Sequence, residues 1–133
     1  MRRSNLDFAR TLARKAENDW KTASVGLEHD GPLDTVCFHL QQTAEKLIKA
    51  LLECRSVEYR FTHDLKELLG LALPEYPILG GFRDSLPNYT DFATGMRYDD
   101  SYDPDREQAL EAFETVKRLR AIAHSLLPPE ARP

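Results

Sequence analysis

The chain has 133 residues, 41% of them hydrophobic and 30% charged, with a formal net charge of −4. That length suits a single domain with a real core, and the acidic balance excludes a molecule that binds nucleic acid by overall charge. Only six glycines are present, and Ala, Leu, Glu, Lys and Arg far outnumber β-branched residues, which favours helix over sheet.

The charge is uneven. Residues 1–60 hold ten Lys/Arg and nine Asp/Glu, and residues 61–133 hold eight and thirteen. A basic surface for an anionic partner has to be local. Much of the acid lies in DDSYDPD, residues 99–105, which lacks the glycine and final glutamate of a calcium loop and reads as an acidic turn.

A first helix is predicted from about Asn5 to Glu28, because Leu6, Ala9, Ala13, Ala16, Trp20, Ala23 and Leu27 recur at spacings of three and four. Its alanines imply a close neighbour, with Trp20 as the one large anchor. Arg3, Arg10, Arg14 and Lys21 share another stripe, diluted by Asp7, Glu17 and Glu28, and read as solvated surface. Asp30-Gly31-Pro32 breaks the chain.

A second helix is predicted from about Leu33 to Arg55, with Val36, Leu40, Ala44, Leu47, Ile48 and Leu51 on its core face. Phe38, Gln42, Glu45 and Lys49, flanked by Gln41 and Leu52, fall on the opposite side. The charges alone suit a solvated face with an i,i+4 pair. The apolar ends suit a second contact surface, either a polar network locking two helices or a ligand-binding row. Cys37 and Cys54 lie too far apart on one straight helix for a disulfide.

FTHDLKELLGLAL predicts a short third helix with Thr62 or Asp64 as its N-cap. Pro74 and Pro77 end it, and residues 78–95 read as weakly helical, interrupted by Gly80-Gly81 and Pro87. Asp103-Pro104 predicts the start of a last helix that runs to about Leu127. Its core stripe is Ala109, Ala112, Val116, Leu119, Ala123 and Leu126. Phe113, Lys117, Arg120 and His124 form a neighbouring row, and Lys117, Arg118 and Arg120 make the last turns basic, where cations suit the helix dipole or an anion.

These elements predict a single all-α domain over residues 1–133, an up-and-down bundle of four to five helices with an ordered core of about 5–127 and frayed ends. No zinc, di-iron or phosphate-loop motif calls for a metal or cofactor. Without a signal, membrane span or lipidation motif, a cytoplasmic, reduced setting is expected.

Ala16…Asp19-Trp20…Ala23, the FHxQQxxEKxxKAxL run from Phe38 to Leu52, Thr62-His63-Asp64-Leu65 and Arg97-Tyr98 together resemble HEPN-domain proteins of the small stand-alone prokaryotic type. The resemblance covers about residues 9–100 in order. It implies a helical homodimer, often paired with a minimal nucleotidyltransferase in a toxin–antitoxin arrangement, and in some members a metal-independent ribonuclease. The ribonuclease motif, Arg then His after four to six residues, is matched by Arg118 and His124. On a straight helix Arg118 points about 120° from His124, whereas Arg120 shares its face, so the pair is His124 with Arg118 or Arg120. Lys117, Gln42, Glu45, Lys49, His63 and Asp64 are the candidate nucleotide- or RNA-binding residues. Three roles stay open: a nucleotide- or RNA-associated module, a ribonuclease toxin, and a non-catalytic dimeric scaffold.

Overall fold

The computed structural model describes residues 3–94 and 103–133. Arg97-Tyr98 and most of the acidic turn, residues 99–102, lie outside the described residues. Among those described there is no strand. The α-helices are α1 (Arg3–Glu28), α2 (Leu33–Cys54), α3 (Leu65–Ala72) and α4 (Arg106–Leu126), with 3-10 helices at Pro77–Phe82, Leu86–Phe92 and Pro129–Ala131. The chain is an all-α bundle, and no described helix is long and apolar enough to cross a membrane.

α1 and α2 form a hairpin, the most extensive helix contact in the molecule. The alanine stripe explains their closeness, since Ala9, Ala13, Ala16 and Ala23 are buried with Trp20 and Leu27. The turn demands small residues: a Cβ on Gly26 would meet Val36 Cγ2 at 2.9 Å. Gly31 N donates to Gly26 O at 2.6 Å, and Asp30 takes a left-handed φ of 56°, a conformation Asp tolerates better than most residues.

α2 is the hub. α1, α3, α4 and the 3-10 helix Leu86–Phe92 all pack on it. Its predicted core face is buried, but so are Gln41, Glu45, Lys49 and Leu52 on the other side. The solvated-face reading of that row is therefore corrected. The segment leading into α3 covers it, with Lys49 Nζ 5.8 Å from the ring centre of Tyr59 and 5.5 Å from that of Phe61. Cys37 and Cys54 are buried and free, and burial pushes the Cys37 thiol up to about 12.

α3 begins at Leu65 because the Asp64 carboxylate accepts from Lys66 N at 3.0 Å and Glu67 N at 3.4 Å, while Thr62 Oγ1 accepts from Asp64 N. Pro77–Phe82 and Leu86–Phe92 form two 3-10 helices in place of the expected interrupted α-helix. The start of α4 also differs from the expectation. Asp105, not Asp103, is the N-cap, because Asp105 Oδ1 and Gln108 Oε1 accept each other's backbone N–H at 2.8 and 2.9 Å. That reciprocal box outweighs the preference for proline at the first helical position.

Candidate functional site

α4 lays its core stripe, Ala109, Ala112, Val116, Leu119 and Ala123, into the bundle, and α2 is the helix it packs on most extensively. This sets the neighbouring row on the flank that faces α1. Phe113 stacks on Trp20 with ring centres 4.7 Å apart. Two turns later Arg120 grips Glu17: its Nε donates to Oε1 at 2.6 Å and its Nη2 to Oε2 at 2.5 Å. The same guanidinium sits 5.5 Å from the Trp20 ring centre. The hydrogen bonds from Arg120 hold the Glu17 carboxyl below the ordinary carboxylate value, with His124 and Lys21 adding to the effect.

His124 follows one turn after Arg120 and is half-buried. Burial lowers its pKa below the usual 6.5, and the charges of Arg120 and Arg132 push the same way against Glu17. Its imidazole is thus biased towards the neutral form, in which one nitrogen can accept a proton. No described residue hydrogen-bonds to that ring. Of the sequence candidates, the structure brings Arg120 and His124 together. Arg118 lies apart from them on the exposed side of α4, where its charge is felt at Tyr89, and Lys117 is also exposed. No carboxylate of the described residues pairs with either cation.

The second candidate group lies where α2 meets the start of α3. Gln41 Nε2 donates to Glu45 Oε1 at 3.0 Å and to the His63 carbonyl at 3.2 Å. Lys49 Nζ donates to Glu45 Oε2 at 2.9 Å, and His63 Nδ1 to Oε1 at 2.8 Å. Burial would raise the Glu45 carboxyl, but the hydrogen bonds from Gln41, Lys49 and His63 outweigh it and hold it low. Gln42, half-buried, donates to Gln41 Oε1 at 2.7 Å. Asp64 does not join this network and caps α3 instead. Asp19 repeats the arrangement against α1, taking His39 Nδ1 on one oxygen at 2.8 Å and Lys46 Nζ on the other at 2.6 Å.

Glu17 and Arg132 are participants that sequence reasoning did not single out. Glu17 looked like a charge interrupting a basic stripe. A pair whose members are 103 residues apart leaves no periodic signal.

The family model for the HEPN domain matches residues 9–126. No curated protein and no solved structure matches the chain.

Proposed function

The chain belongs to the HEPN domain family, a family of nucleotide- and RNA-associated modules, and from that premise we propose that it binds RNA or nucleotide phosphate along the C-terminal half of α4. The observation that supports this reading best is the row itself. Lys117 and Arg118 stand exposed with no described carboxylate in ion-pair contact, within a turn of an Arg120 already fixed in place and about two turns before a neutral-biased His124. In this reading Glu45, Lys49 and Asp64 stiffen the α2–α3 junction, because their polar atoms are engaged internally. Gln42, His63 and Asp64 are the half-exposed members of that group. The protein works as a cytoplasmic homodimer and as one half of a toxin–antitoxin type pair with a minimal nucleotidyltransferase.

His124 favours a second reading, a metal-independent ribonuclease. A neutral imidazole accepts the 2′-hydroxyl proton as O2′ attacks phosphorus. Arg120 or Arg118 steadies the phosphate charge, and the departing O5′ takes a proton from water.

The test is a labelled mixed-sequence RNA incubated in EDTA with wild-type protein, His124→Ala and Lys117→Ala/Arg118→Ala. Binding that weakens with salt and with loss of the two exposed cations supports the module. Cleavage lost in His124→Ala supports the ribonuclease. If the protein neither binds nor cleaves, a dimeric scaffold is left.

A further inference from the structure

Along one stripe of α3, Lys66 and Gly70 are exposed, Leu73 is half-buried and Leu69 is 2% exposed. Lys66, Leu69, Gly70 and Leu73, spaced i, i+3, i+4 and i+7, line a groove of about 400 Å³ with Arg83 and Pro87. Two features of this groove have no use inside the described chain.

The first is Gly70. It sits within a right-handed helix and has no left-handed φ to justify it. A Cβ at this position would meet nothing within 4 Å. Glycine weakens a helix, and here neither a turn nor a packed neighbour requires it. What it provides is bare backbone at the middle of an apolar groove, where another chain can approach more closely than any side chain would allow. Gly26 is the contrast, since its missing Cβ is explained by Val36.

The second feature is charge. Lys66 and Arg83 are exposed, one on α3 and one just after the 3-10 helix Pro77–Phe82, and no described carboxylate pairs with either. Glu67, the acid nearest Lys66 in sequence, is taken by Arg60 at 2.8 Å. A second copy docked by a twofold axis at Gly70 would bring four unpaired cations together, so charge disfavours self-association here.

We infer that the α3 groove receives an apolar segment flanked by carboxylates from a partner protein, seated against the bare backbone of Gly70 between Lys66 and Arg83. This inference is independent of the nucleotide reading, because none of its residues belongs to the α4 row.

The probe is a labelled synthetic helical peptide with leucines at i, i+3, i+4 and i+7 and flanking glutamates, compared by fluorescence anisotropy with a twin carrying lysines instead. The glutamate peptide should bind at least tenfold more tightly at low salt, and Lys66→Glu/Arg83→Glu should reverse the order. Gly70→Ala separates docking from folding: it should raise Tm by about 3 °C through helix propensity and still weaken the glutamate peptide several-fold. No binding by either peptide overturns the proposal. So does equal binding of the two, or unchanged affinity in Gly70→Ala. If wild-type protein self-associates in sedimentation and Gly70→Ala abolishes it, the groove belongs to a second copy and the proposal also fails.

Discussion

Nδ1 of His63 lies 2.8 Å from Oε1 of Glu45, tying the loop before α3 to the middle of α2. Because the other oxygen holds Lys49, 7% exposed, one carboxylate keeps a cation inside the protein and anchors a loop. Glu45→Gln leaves Lys49 buried without its counter-charge. Breaking a buried pair from one side costs about 3 kcal/mol or more, so urea unfolding of Glu45→Gln should show a lowered midpoint. Glu45→Met with Lys49→Met should recover much of the loss.

The same carboxyl sets an acid limit. Its folded pKa lies below the ordinary 4.5, so the folded state holds fewer protons than the unfolded one in that window. The stabilisation is complete above 4.5 and is lost as pH falls through the folded value. Midpoints measured from pH 6 down to pH 3 should fall in wild-type protein. They should fall less steeply in Glu45→Gln, from its lower starting point.

His124 titrates in a different window. A folded pKa below 6.5 means that the fold favours the neutral ring, so this contribution is full above 6.5 and declines as pH drops towards the folded value. An NMR titration of His124 should give a midpoint below 6.5. Arg120→Ala should move it upward by removing a positive neighbour, and Arg118→Ala should leave it in place.

Arg120 and Glu17 form a two-pronged bridge between α4 and α1. A double-mutant cycle of Glu17→Ala and Arg120→Ala should return a coupling of about 1–2 kcal/mol. A coupling near zero would show that the Trp20 ring, not the carboxylate, is what holds the guanidinium.

Two helical glycines should respond in opposite directions. Gly26→Ala forces Val36 to shift from a 2.9 Å contact and should cost about 1–3 kcal/mol. Gly70→Ala meets open space and should gain about 0.5–1 kcal/mol. Thermal melts of the two variants check both.

Much of the bundle was legible in the sequence because three-four spacing reports which helical face is apolar. The core positions of α1, α2 and α4 and the end of α1 at Glu28 follow from it. It reports less well what covers a polar row. Glu45 and Lys49 give the same pattern whether water or Tyr59 and Phe61 lie above them, so the burial of that row appeared only in three dimensions. The onset of α4 turned on a choice between two Asp caps, decided by the Gln108 side chain. Of the α4 candidates, His124 and Arg120 could be placed on one face by arithmetic. The partner of Arg120, Glu17 on the first helix, could not.

The tight turn between α1 and α2 bears on how the protein comes to be made. The most extensive helix contact joins neighbours in the chain, with four residues between them. Such local pairing closes quickly at little entropic cost. A chain emerging from the ribosome can therefore complete this hairpin before α4 has been translated, leaving Trp20 and one flank of α2 uncovered in the meantime. Phe113 and Arg120 then arrive as a cover over Trp20. Substitutions at that seam should prolong the exposed interval during synthesis more than they weaken the finished protein.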